Sequence, residues 1–168
     1  MTGARVPGAR GPGAAGPGTV LGPAEVLALL PQQEPFRFVD EIASVDAERI
    51  VASYTFRPDA DFYRGHFPGW PVTPGVILLE SLAQVAVVAL GIHLVALEGG
   101  IEEVRRKIAL FTDAAVEFSG LVEPGRRVTT EARLKFFRRG KIRSEAEMRL
   151  DDGTLVCSGT VSGMAVAL

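Results

Sequence analysis

From Val76 to Leu97 the chain runs for 22 residues with few polar side chains, and this segment limits the folds open to it. It has the length of a membrane span. It also carries Glu80, Gln84 and His93, and such groups are costly in lipid. No polybasic flank marks an orientation. A helix apolar almost all round suits a soluble protein when a sheet wraps it. The expectation is a buried core helix and no membrane insertion. Thr73 reads as its N-cap and Pro74 as its first helical residue. Gly99-Gly100 reads as its end.

What flanks the helix supplies the wrapping. Upstream, Glu25 to Leu30 reads as a short helix stopped by Pro31, and Phe36 to Val45 as a strand. Arg49 to Phe56 alternates, with Ile50, Ala52, Tyr54 and Phe56 on one face. Downstream come four strand-like runs: Ile108 to Phe118, Arg127 to Phe137, Lys141 to Leu150 and Thr154 to Val166. Pro124-Gly125, Arg139-Gly140 and Asp152-Gly153 separate them, and Asp-Gly is a strong hairpin signal. Short turns make neighbouring strands antiparallel. The fold class expected is α+β, an antiparallel sheet wrapped around one long central helix.

The 168 residues suffice for one domain. Met1 to Gly22 is dominated by Gly, Ala and Pro and lacks periodicity. With little apolar surface to offset chain entropy, it reads as an unstructured tail ahead of a domain spanning 23–168.

Composition removes several functions. A net charge of −2 gives no overall attraction to nucleic acid. Two histidines and one cysteine offer no zinc-ligand spacing, and no P-loop or strand-borne G-x-G-x-x-G is present. Neither a metal nor another cofactor is expected. Cys157, the single cysteine, reads as a core residue, and a reduced cytoplasmic setting fits. His93 has no motif around it and reads as structural or exposed.

The chemistry lies ahead of and within the apolar segment. Gly65-His66-Phe67-Pro68-Gly69, then Pro71, Pro74-Gly75-Val76, Glu80 and Ala83-Gln84 form one block. Leu30-Pro31, Pro35-Phe36 and Val39-Asp40 precede it; Val116-Glu117-Phe118, Val122 and Pro124-Gly125 follow. Over roughly residues 25 to 166 this pattern closely resembles FabZ-type 3-hydroxyacyl-acyl-carrier-protein dehydratases of the FabA/FabZ-like family.

The resemblance implies a hot-dog fold and removal of water from a 3-hydroxyacyl thioester on acyl carrier protein, giving the trans-2-enoyl thioester. Such a reaction needs a base for the C2 proton and an acid for the departing C3 hydroxyl. His66 suits the first task and Glu80 the second, directly or through a water. Charge grows on the thioester oxygen, and backbone N–H groups at a helix start are free donors. The resemblance assigns that role to Gly75. It also implies a homodimer or a trimer of dimers, with His66 and Glu80 of one site drawn from different subunits. Phe67, Val76 and Phe118 are the expected acyl-chain contacts. FabA carries Asp where Glu80 stands, so dehydration without isomerisation is expected.

The chain departs from the family pattern at Gln32-Gln33, at Glu117, Ser119 and Gly120, and at Arg126. A specialised, polyketide-like acyl chain is therefore an alternative to fatty-acid synthesis. An acyl-thioesterase and a catalytically idle acyl-binding or scaffolding module are the competing functions. Acyl carrier proteins are acidic, so a basic docking patch is needed. Arg138, Arg139, Lys141 and Arg143 around one hairpin form the first candidate, Arg105-Arg106-Lys107 the second.

Overall fold

A computed structural model describes residues 18–168. A short helix α1 (Pro23–Ala28) leads into strands β1 (Glu41–Val45) and β2 (Arg49–Thr55). The long helix α2 (Gly75–Arg105) follows. Then come β3 (Lys107–Phe118), β4 (Arg127–Arg138), β5 (Lys141–Leu150) and β6 (Leu155–Ala167). The strands form one antiparallel sheet in the order β1-β2-β4-β5-β6-β3.

The sheet curls around α2. Ile50, Ala52, Tyr54 and Phe56 are all buried, as their alternation requires. Ile142, Ala146 and Met148 bring the same face of β5 onto the helix. Every residue from Ser81 to Leu90 is buried. The apolar segment is thus a core helix covered by its own protein.

Inside α2, Gln84–Ala89 takes a wider π-helical turn. Buried Ser144 on β5 donates to the Ala86 carbonyl at 2.7 Å, tying this stretch to the sheet.

Several boundaries differ from expectation. Gly75 is the first helical residue and Pro74 its N-cap. Thr73 is occupied otherwise: its hydroxyl lies 2.6 Å from that of Tyr63, and its N–H donates to Val122 O at 2.8 Å. Gly100, at φ +76°, interrupts α2 but does not end it, since helical turns resume to Arg105. Residues 36–40 are not strand. Side chains of α2 claim the Phe36 carbonyl and both backbone groups of Phe38, while the Asp40 N–H donates to Ser53 O of β2.

The tail is also corrected in part. Residues 1–17 lie outside the described residues. Residues 18–22, expected to be unstructured, pack on the far half of α2. Leu21 is 2% exposed. Its carbonyl accepts from Nδ1 of buried His93 at 2.9 Å, and the Thr19 N–H donates to Ala96 O at 2.8 Å. The buried Leu21 side chain and these two hydrogen bonds tie the run to α2.

Candidate active site

The loop before α2 is built to hold His66. A helical turn (Asp61–Arg64) delivers the chain, and the His66 N–H donates to Phe62 O at 2.9 Å. Phe67 and Trp70 then exchange backbone hydrogen bonds of 3.2 and 3.0 Å across a tight turn. Gly69 sits in that turn at φ +79°, where a side chain would be strained. The Val72 N–H returns to His66 O at 3.0 Å.

The same residue fixes the imidazole. His66 Nδ1 lies 2.8 Å from the Val72 carbonyl oxygen. A carbonyl only accepts, so Nδ1 carries the proton and the neutral ring has its lone pair on Nε2. Phe67 stacks on the ring, centroids 4.1 Å apart. Tyr63, beneath the loop, has its hydroxyl pushed up by burial, with the bond to Thr73 acting the other way. It remains a neutral hydroxyl.

Gly75 starts α2. Its N–H is one of the first-turn donors without an intrahelical acceptor. The Phe118 ring faces it: a Cβ on Gly75 would stand 3.5 Å from two ring carbons. The absent side chain leaves a slot between helix start and ring, with a positively polarised backbone at its end.

Glu80 lies in the next turns of α2 and is half-buried. Its Oε1 accepts from Gln84 Nε2 at 2.8 Å. Gln84 is fully buried, donates also to Phe36 O at 2.8 Å, and accepts the Phe38 N–H at 2.8 Å. Ser81 donates to Phe38 O at 3.1 Å. Sequence reading left Gln84 without a role. The signal was present, because residues four apart share a helix face.

Among the described residues no hydrogen bond joins His66 to Glu80. Each is held by its own partners. Phe67, Val76 and Phe118, the expected chain contacts, are 48%, 73% and 47% exposed, an unusual amount of apolar surface beside two fixed polar groups.

A second space opens farther along α2. A cavity of about 60 Å³ is lined by Pro31, Val88, Gly91, Ile92, Phe137 and Ile142, among other mainly apolar residues.

The expected docking residues fall at one end of the sheet. Arg138, Arg139, Lys141 and Arg143 are all exposed around the β4–β5 hairpin. Lys141 stands level with Met164 on β6 and Leu110 on β3, toward the Lys107 end of β3 and away from Phe118. Among the described residues none of the four joins an ion pair, whereas Arg105 pairs with Glu102 and Lys107 with Glu103. Cys157 is fully buried, and burial pushes its thiol up to about 11.

Comparison with known proteins agrees with this architecture. The FabA-like domain family model matches residues 30–161. The 3-hydroxyacyl-acyl-carrier-protein dehydratase FabZ of Bacillus velezensis is 32% identical over 145 residues, 85% of this chain and 96% of that protein. FabZ of Chlamydia trachomatis serovar L2 is 42% identical over 117 residues, 67% of this chain and 72% of that one. Among solved structures, smu.793 from Streptococcus mutans bound to acetyl CoA superposes with a TM-score of 0.59 at 11% identity, covering 82% of this chain and 96% of that one. A thioesterase from Haemophilus influenzae gives 0.54 at 18% identity, over 76% and 78%. At such identities these two structures speak for the fold alone, the hot-dog arrangement of a sheet around one helix.

Proposed function

The chain belongs to the FabA-like family, and we propose that His66, Gly75 and Glu80 carry out in it the reaction of its FabZ relatives. It is a hydro-lyase that dehydrates 3-hydroxyacyl chains on acyl carrier protein, as FabZ does in fatty acid biosynthesis. The observation that carries the residue assignment is the locked tautomer of His66. With Nδ1–H held by Val72 O, Nε2 is the free base.

The step follows from the groups present. Nε2 takes a proton from C2. The C2–H electron pair becomes the C2–C3 π bond, and the C3–O bond breaks with its electrons leaving on oxygen. Glu80 donates the proton that turns this oxygen into water. Charge that builds transiently on the thioester oxygen is met by the Gly75 N–H and the positive end of α2. Phe67, Val76 and Phe118 supply apolar contact for the chain.

A homodimer completes this reading. β3 is an edge strand exposed along most of both faces, with Leu110, Phe111 and Phe118 each about half exposed. Such an edge invites pairing with another strand. Two copies pairing β3 antiparallel about a two-fold axis would bury these side chains and join the sheets. The Lys107 end of one copy then lies beside the partner's Phe118. The site of each subunit would thereby receive Glu80 from its partner, and the basic hairpin would flank the partner's site as a dock for an acidic carrier. The same reading has the protein in the cytoplasm.

Incubation with 3-hydroxyacyl- and enoyl-carrier proteins of several chain lengths, read by mass, tests the function. Interconversion by one water is expected. Release of free acid would make it a thioesterase, and no change on any substrate would make it a binding module.

A further inference from the structure

We propose that Tyr63 and Thr73 are positioning residues. The bond between their hydroxyls sets the gap between the base, Nε2 of His66, and the donor to the thioester oxygen, the Gly75 N–H. The inference rests on the roles assigned to His66 and Gly75.

The two groups act on neighbouring atoms of one substrate. His66 takes a proton from C2, and Gly75 meets charge on the oxygen carried by C1. Both contacts are needed in the same transition state, so their spacing matters as much as either group alone. Neither group sets that spacing by itself. His66 belongs to the loop, and Gly75 to the helix.

The hydroxyl pair joins the two sides. Tyr63 and Thr73 are 7% and 4% exposed, and their hydroxyl oxygens are 2.6 Å apart, at the short end for such a bond. On the loop side, Tyr63 lies in the helical turn Asp61–Arg64, whose Phe62 carbonyl accepts the His66 N–H at 2.9 Å. Turn and base are thus coupled. On the helix side, the Thr73 N–H is tied to Val122 O at 2.8 Å. Only Pro74 separates Thr73 from Gly75, and its ring holds φ at −60°. A fixed Thr73 therefore fixes the Gly75 N–H. The neighbouring bonds between His66 and Val72 include one made by the imidazole itself. Without the hydroxyl pair, the base would have to hold its own loop in place.

Packing alone does not call for hydroxyls here. A phenylalanine and a valine would fill nearly the same volume with no polar group to satisfy, an exchange close to neutral for stability. They would lack a bond of fixed length and direction.

The test uses that contrast. Tyr63→Phe and Thr73→Val each remove the bond at nearly constant shape. Each is expected to lower kcat on 3-hydroxyacyl-carrier protein by about 10-fold, with KM within about two-fold of the parent. The double variant should lose no more than the worse single, because both changes delete one bond. It should also melt near the parent, since no buried hydroxyl is left unpaired. Stability then returns without activity, which a purely structural role does not allow. Thr73→Ser keeps the hydroxyl and should keep kcat near the parent value. Should a single variant melt too low to assay, the double variant and Thr73→Ser decide alone.

Recovery of kcat together with melting temperature in the double variant would overturn the proposal. So would equal kcat losses for Thr73→Ser and Thr73→Val, full additivity of the two single losses, or a rise in KM at unchanged kcat. Near-normal turnover of His66→Ala would instead overturn the assignment on which the proposal rests.

Discussion

His66 and Val72 hold each other twice: Nδ1 of the ring lies 2.8 Å from the Val72 carbonyl oxygen, and the Val72 N–H donates to the His66 carbonyl at 3.0 Å. The backbone pair closes the loop, and the side-chain bond sets the tautomer. Loop geometry and ring tautomer therefore share one residue, and both bonds run through the Val72 backbone.

From this, His66→Ala should remove the proposed base while leaving the backbone pair intact. Turnover should fall by about 10²-fold or more with the fold retained by circular dichroism. Glu80→Gln should do the same. Near-normal turnover in either variant would remove that residue from the chemistry.

The strap over the far half of α2 gives a stability test. Leu21 is 2% exposed, and its carbonyl is held by His93. Leu21→Ala should cost roughly 2–4 kcal/mol, lowering the melting temperature by about 3 °C for each kcal/mol in a domain of this size. Truncation through residue 22 should cost at least as much. Unchanged thermal melts for both would show that the strap contributes nothing.

The sequence carried most of the architecture. The apolar run, the turn pairs and the alternation in Arg49 to Phe56 all report burial patterns that neighbouring residues impose on one another. What it hid depends on side chains distant in sequence. Phe36 to Asp40 has strand composition, but Gln84 and Ser81, more than forty residues on, take the backbone groups of Phe36 and Phe38. Thr73 has the chemistry of an N-cap, but Tyr63 already binds its hydroxyl. Leu21 lies in a run whose composition argues against packing until His93 faces it. At the site, His66, Gly75 and Glu80 stood out by motif. Val72 did not, because it acts through its backbone, which no residue type reveals.

Gly91 offers a handle on chain length. An added Cβ would lie 4.0 Å from Ile142 Cδ1, in ordinary contact, and the cavity opens beyond. Gly91→Ala should be tolerated and stabilise α2 by up to about 1 kcal/mol. Gly91→Leu should fill the space. If the chain end of the substrate enters there, turnover on the longest accepted acyl chains should fall while the shortest is spared. A uniform loss across lengths would place the chain elsewhere.

Glu131 predicts a pH dependence. Arg49 grips both its oxygens, at 2.8 and 2.6 Å, and holds the carboxyl below its usual range; Arg133 adds to this. A depressed folded-state value means the stabilisation is full above the unfolded carboxyl value, near ~4.3, and is lost as pH falls through the folded one. The pair is partly exposed, so about 1 kcal/mol is expected. Glu131→Gln should melt lower than the parent at pH 7, and the gap should narrow progressively as pH falls below the unfolded carboxyl value. A gap that stays constant across the acid range would mean that packing, not charge, is responsible.

The hairpin cations give the remaining test. Arg138, Arg139, Lys141 and Arg143 are exposed and outside every ion pair among the described residues, so their field is not cancelled locally. Lys141 and Arg143 alternate with inward-facing Ile142 and Ser144, which puts both on the outer face of the sheet. Reversing these two charges should weaken use of carrier-bound substrate through encounter rate. The loss should shrink at high salt, because exposed charges are screened beyond about 10 Å at 0.1 M. A small thioester mimic does not need the patch and should be turned over as before. Reversal of Arg105 and Arg106 serves as the comparison, since Arg105 is already paired with Glu102. Equal loss on both substrates would indicate damage to the fold or the site. No loss on either would move the dock to Arg105, Arg106 and Lys107.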